Sequence, residues 1–154
     1  MRVKMNRMKI EFRAVSANES LARMTVAAFM TPLNPTLEEI SDVKTAVSEA
    51  VTNAIIHGYG EDRESDEMVE MSCHIDKDLL HITICDEGVG IENIDKAMEP
   101  LYTTRPELER SGMGFSFMEA FMDELHVESE PGKGTKVHMV KKIGPTSWAE
   151  REED

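Results

Sequence analysis

The sequence predicts an α+β fold, a two-layer α/β sandwich in which a mainly antiparallel, mixed sheet carries its helices on one face. Three observations lead there. Apolar residues recur with period two in five stretches and with helical period in three others, in the order strand, helix, helix, strand, strand, long loop, helix, strand, strand. The strands alternate cleanly, so each has one buried and one wetter face, which suits antiparallel pairing with the helices on the buried side. With 154 residues the chain can bury a core as one domain, expected over residues 1–143, followed by an acidic, loosely ordered tail over residues 144–154.

Residues 9–15, KIEFRAV, put Ile10, Phe12 and Ala14 on one side, the pattern of a half-buried strand. Ser16 with Glu19 reads as a capping box that opens a helix through Phe29, ended before Pro32. Its apolar stripe is Leu21, Met24 and Ala28, and Arg13 and Arg23 are expected to be exposed. Thr36 and Glu39 make a second capping box ahead of a long helix, whose residues 41–58 align Val43, Ala46, Val47, Ala50, Val51, Ala54 and Ile55 toward the core. Gly58 is expected to close it as a C-terminal glycine. After the polar run YGEDRESDE, residues 68–75 carry Val69, Met71, Cys73 and Ile75 on one face, and residues 79–85 carry Leu80, Ile82 and Ile84 on one face. The short DKD between them predicts a hairpin. Residues 86–110 show little periodicity and hold Gly88, Gly90, Pro100, Thr103, Thr104 and Pro106, the profile of a functional lid with one short helix near residues 92–98. A helix over residues 112–122 and strands over residues 124–130 and 135–142, joined by PGKG, complete the order.

A formal net charge of −13 opposes direct binding to nucleic acid, whose phosphates call for clustered Lys and Arg, and favours basic or protein partners. No long uncharged apolar run offers a membrane span. Arg2, Lys4, Arg7 and Lys9 have no apolar stretch behind them, so a secretory signal is not expected and a cytoplasmic protein is. Cys73 and Cys85 lack a CxxC spacing and read as small buried hydrophobes in a reducing compartment; the five histidines lack a metal-ligand spacing such as HExxH.

The chemistry rests on a conjunction. Glu49, Asn53 and His57 form a polar line on the long helix, separate from its core stripe. Alone they would read as a solvated face. Asp86 ends a strand before Gly88 and Gly90, where a carboxylate could accept a hydrogen bond from the exocyclic amine of adenine and the glycines would let backbone approach the ring. Alone it is a common turn. Gly112 and Gly114 open a helix whose free N–H groups and dipole favour an anion, with Arg110 two residues upstream to neutralise a terminal phosphate. Neither a Walker loop nor a dinucleotide fingerprint is present. Asn53 offers one neutral oxygen to a magnesium ion completed by phosphate oxygens and water, and Glu49, one turn away, is set where a nucleophile must lose its proton.

Glu49-x-x-x-Asn53, Asp86-x-Gly88-x-Gly90, Gly112-x-Gly114 and Gly132-x-Gly134-Thr135, in that order, resemble the asparagine box and the three glycine boxes of the GHKL ATPase superfamily, with its Bergerat ATP-binding fold, shared by gyrase, heat-shock chaperones, histidine kinases and the DNA mismatch-repair ATPase. The runs NESLARMTVAAF, VSEAVTNAIIHGY, DEGVGI and PLYTTRPELERSGMGF are similar to the anti-sigma-factor serine kinases of endospore-forming bacteria, the sporulation kinases that hold sigma factor F, with a general-stress anti-sigma kinase of the same family as the alternative. The resemblance implies a homodimeric, ATP- and Mg2+-dependent serine/threonine-protein kinase that sequesters sigma factor F and phosphorylates a serine of a small anti-anti-sigma factor. It implies Glu49 as catalytic base, Asn53 as magnesium ligand, and Asp86 and Thr135 as readers of adenine, Thr135 through water. Gly88 and Gly90 would shape that pocket. Thr104 in the lid would touch the nucleotide, and Gly112, Met113 and Gly114 would offer N–H groups to phosphates. Arg110 would sense the γ-phosphate, and the segment of Arg23 would dock partners.

Two other readings compete. The ATP-binding half of a sensor histidine kinase would need a helical phosphoacceptor segment upstream of the first strand, and with only about nine residues ahead of that strand this reading is not expected. A nucleotide-gated binding module without catalysis would not need Glu49.

Overall fold

The computed structural model describes residues 5–59, 66–91, 93–98 and 114–144. Its elements are strand β1 (Asn6–Arg13), helix α1 (Asn18–Phe29), helix α2 (Leu37–Asn53), strands β2 (Met68–Asp76) and β3 (Leu79–Asp86), the single-turn helix α3 (Ile94–Ala97), helix α4 (Gly114–Phe121), and strands β4 (Glu124–Glu130) and β5 (Gly134–Lys142). The five strands form one sheet in the order β1-β2-β3-β5-β4. Every pairing is antiparallel, so among the described strands the expected mixed character is absent.

The alternation sets which face is buried. Phe12, Val69, Met71, Cys73, Ile75, Leu80, Ile82, Ile84, Val137 and Met139 meet the helices, and the opposite face is left to residues such as Lys9, His74, His81, Lys136 and His138. The β2–β3 hairpin turns at Lys77, which takes a left-handed φ of 58°. Cys73 is buried as expected, which pushes its thiol up to about 12, whereas Cys85 lies half-buried on the other face.

Helix α2 lies at the centre of the helical layer, packed against both α1 and α4. Its entry is the expected capping box: Glu39 N–H donates to Thr36 Oγ1 at 3.1 Å and Thr36 N–H to Glu39 Oε1 at 2.9 Å. A cap of this kind contributes about 1 kcal/mol. The Glu39 carboxylate also accepts from Gly144 N–H at 3.2 Å, so Gly144, expected to begin the loose tail, is buried and tied to α2. At the far end of α4, Lys141 Nζ donates to the Phe121 carbonyl at 2.7 Å and pairs with Asp42 of α2 at 3.8 Å, joining three elements.

Helix α1 departs from expectation twice. Its buried stripe is Ala22 and Val26, continued by Met30, while Leu21 and Met24 are 47% and 63% exposed. Two apolar stripes lie one position apart on this helix, and the one with small residues faces α2, because alanine lets the two backbones approach. The capping box at Ser16 and Glu19 is also not used. Ala17 is the N-cap without a side-chain cap bond, and the Glu19 carboxylate accepts instead from the Thr52 hydroxyl of α2.

Candidate nucleotide site

The polar line of α2 meets the start of α4. A Cβ built on Gly114 would sit 3.2 Å from both Asn53 Nδ2 and Oδ1 and 3.5 Å from Glu49 Oε2, so the absence of a side chain there keeps the backbone beside both groups. Asn53 Nδ2 is buried and has no hydrogen-bond partner among the described residues. A buried amide donor left without an acceptor costs about 1–3 kcal/mol, which marks the position as one built for something other than the fold.

Past Asn53 the helix widens into a π-helical turn, Ala54–Gly58. Such turns insert an extra residue and are frequent at functional sites. This one carries Gly58 against Asp86: a Cβ on Gly58 would lie 2.8 Å from Asp86 Oδ1. Gly58 therefore does not end the helix as a left-handed cap, for it is not among the glycines of positive φ. A side chain at Gly58 would press on the Asp86 carboxylate, and one at Gly88 would meet the Gly58 carbonyl at 2.1 Å, so the two glycines let the helix end and the turn after Asp86 come together. Asn53 and Gly58 are separated by roughly 7 Å of helix rise, so the amide end and the aspartate end of the site lie along one helix.

Asp86 ends β3 and accepts from Gly88 N–H at 2.9 Å. Burial pushes its carboxyl up to about 6, partly offset by hydrogen bonds from the backbone of Gly88 and Thr135. Asp86 and Thr135 are opposite one another across β3 and β5, which is how residues so distant in sequence come together. Gly134, at φ 90°, passes so close that a Cβ would meet the Asp86 carbonyl at 2.0 Å, and Gly90, at φ 76°, is pressed on the Glu130 carbonyl at 2.1 Å. Thr135 Oγ1 lies 2.9 Å from Ser129 Oγ. Ser129 Oγ also donates to the Gly134 carbonyl and accepts from Ile91 N–H at 2.8 Å. Ser129 thus fastens the segment after Gly90 to the β4–β5 turn.

Glu49, Asn53 and Gly114 therefore form one group, and Asp86, Gly88, Gly134 and Thr135 another, joined by the π-helical turn. Arg110, Gly112, Met113 and Thr104 lie outside the described residues. Arg23 is not exposed as expected: it is half-buried, with Nη1 donating to Ser48 Oγ and Nη2 to Ser20 Oγ, each at 3.1 Å. Arg13 is exposed, as expected. Ser129 and Tyr59 were not singled out from the sequence, because a serine in an alternating strand and a tyrosine beside a polar run carry no motif.

Among the described residues no helix is long and apolar enough to cross a membrane. Residues 12–141 match the histidine kinase-like ATPase domain family. The chain is 60% identical over 142 residues to the anti-sigma F factor of Clostridium beijerinckii, covering 92% of this chain and 98% of that protein. It is 63% identical over 139 residues to the anti-sigma F factor of Clostridium acetobutylicum, covering 90% and 94%. The crystal structure of the RsbU and RsbW domains of a Mycobacterium tuberculosis protein superposes with a TM-score of 0.64 at 17% identity, over 90% of this chain and 32% of that one, and shares the fold. The antiparallel sheet with its helices on one side, and the close likeness along almost the whole length, lead to one statement: the chain belongs to the histidine kinase-like ATPase domain family, and within it to the anti-sigma F factors.

Proposed function

We propose that the protein is an ATP- and magnesium-dependent protein-serine kinase that holds sigma factor F, works as a homodimer, and transfers phosphate to a serine of an anti-anti-sigma factor. The observation that carries this reading is the approach of Gly114 to Asn53 and Glu49, which joins an acid, an amide and the N-terminus of α4. The orphaned Asn53 Nδ2–H and the side-chain-free edge of Gly114 fit phosphate oxygens, which leaves Asn53 Oδ1 as the atom that would face a metal. Among the described residues no three His, Cys, Asp or Glu side chains are grouped to hold a metal, so an ion held at Asn53 would complete its shell with phosphate oxygens and water. When bound, magnesium neutralises phosphate charge.

In this reading the half-buried Asp86 accepts from the exocyclic amine of adenine, and Thr135 reaches the same ring through water. Gly88 and Gly90 keep the backbone close around it. Gly114, with Gly112 and Met113, offers N–H groups to phosphate oxygens, Arg110 senses the γ-phosphate, and Thr104 contacts the nucleotide. Glu49 takes the proton from the seryl hydroxyl as its oxygen attacks the γ-phosphorus, and ADP leaves. Arg23 serves the partner surface, held by Ser48 and Ser20 rather than projecting freely. Glu49→Ala should leave ATP binding intact and stop transfer of labelled phosphate to a purified anti-anti-sigma protein. Undiminished transfer would remove Glu49 as the base, and a wild-type protein that binds ATP but transfers nothing would leave a nucleotide-gated binding module.

A further inference from the structure

The dipeptide Gly58–Tyr59, at the end of the π-helical turn, grips the turn that carries Asp86 at three points. The Gly58 carbonyl accepts from Val89 N–H at 3.1 Å. The Cα of Gly58 lies against the Asp86 carboxylate. The Tyr59 hydroxyl accepts from Glu87 N–H at 2.6 Å and donates to the Met68 carbonyl at 3.0 Å. A hydroxyl that both accepts and donates is directionally fixed, and its second partner, the first residue of β2, anchors it to the sheet. Glu87 N–H belongs to the peptide whose carbonyl is that of Asp86. Holding this N–H therefore holds the plane of the Asp86–Glu87 peptide, on which the direction of the Asp86 side chain depends.

We infer that Tyr59 is a positioning residue for adenine recognition: its hydroxyl fixes the Asp86–Glu87 peptide and so holds the Asp86 carboxylate in the orientation that distinguishes adenine from guanine. The inference rests on the reading of Asp86 as the adenine contact. Burial of the Tyr59 ring beside Asp86 and Glu87 raises its phenol above the ordinary value, so the hydroxyl keeps its proton and its donor role.

The test is calorimetric titration of Tyr59→Phe with Mg-ATP, Mg-GTP and Mg-tripolyphosphate, beside wild type and Asp86→Asn. Removing one hydrogen bond of this kind should weaken ATP binding by roughly 2- to 10-fold and compress the ATP-to-GTP ratio, while binding of the base-free tripolyphosphate stays as in wild type. Gly58→Ala is the second variant. Its methyl group meets the end of a side chain, so the Asp86 carboxylate gives way rather than the fold, and the same compression is expected. An unchanged ATP-to-GTP ratio in Tyr59→Phe, with compression in Asp86→Asn, would overturn the role of Tyr59 and leave the adenine contact standing. Equal weakening of all three ligands would reduce Tyr59 to a general support and also overturn it. If Asp86→Asn keeps the wild-type ratio, the adenine reading itself fails and the inference with it.

Discussion

Gly114→Ala separates binding from folding in one substitution. Gly114 opens α4 and is not a position of positive φ, so alanine fits the backbone, and its better helix propensity is worth up to about 1 kcal/mol in a helix interior and less at the first position. The added methyl group would lie 3.2 Å from both polar atoms of Asn53 and 3.5 Å from Glu49 Oε2, tighter than ordinary contact for the amide but against side-chain ends that can shift by a few tenths of an ångström. Stability should therefore stay within about 1 kcal/mol of wild type, a melting shift of roughly 2–4 °C for a chain of this size. Binding should respond otherwise. The methyl group occupies the edge along which phosphate oxygens would approach the α4 N–H groups and the Asn53 amide, and hydrogen bonds to charged groups are worth about 1.5–3 kcal/mol. Affinity for Mg-ATP should fall roughly 10- to 100-fold. Thermal unfolding followed by circular dichroism and titration calorimetry would read the two effects separately. A variant that melts normally and binds ATP like wild type would refute the assignment of phosphates to this edge.

Asn53→Ala should lose the dependence of ATP affinity on magnesium, measured with and without chelator; an unaltered metal dependence would point to a different ligand. Gly134→Ala forces a left-handed φ on alanine and drives its Cβ into the Asp86 carbonyl, so urea unfolding should register a loss of about 2–5 kcal/mol, against about 1–2 kcal/mol for Gly132→Ala, whose φ is also positive but whose surroundings are open. Equal losses would mean that contact with Asp86 contributes nothing. His74, His81 and His138 are clustered on the open face of the sheet, with His81 Nδ1 3.2 Å from His138 Nε2, and burial foremost, then neighbouring histidines, lowers all three below the usual histidine value. The folded state then binds fewer protons than the unfolded one, so stability should fall as pH drops through about 6.5, the unfolded value, until the folded values are passed. Asp86, raised to about 6, acts with the opposite sign, favouring the folded state at lower pH, so a histidine variant that leaves Asp86 in place isolates the histidine contribution. Melting temperatures at pH 8 and pH 5.5 should differ accordingly, and His81→Gln should narrow the difference; a flat profile would contradict this.

Much of the architecture was legible because it rests on local signals. Period-two alternation located all five strands to within a few residues, and the Thr36–Glu39 box fixed the start of α2. What the sequence could not reveal depended on which surfaces meet. The choice between the stripe of Leu21 and Met24 and that of Ala22 and Val26 on α1 was decided by how near α2 can come, and Glu19 left its local cap for Thr52 once that packing was made. Gly58 ends the helical run as expected, but at a point of close approach to Asp86 rather than as a left-handed cap, because the π-helical turn has no signature in AIIHG. The two halves of the site were readable as residue types, Glu49 and Asn53 on one helix and Asp86 after a strand. Their union through Gly114, Gly58 and Thr135 follows from sheet register and helix packing.

In the proposed function one adenine nucleotide spans the two residue groups joined by α2. A crystal structure with magnesium and a non-hydrolysable ATP analogue tests it most directly. The exocyclic amine of adenine is expected on the Asp86 carboxylate, the metal on Asn53 and the phosphates along Gly114. A nucleotide bound elsewhere, or one whose phosphates leave the Asn53 amide untouched, would contradict it.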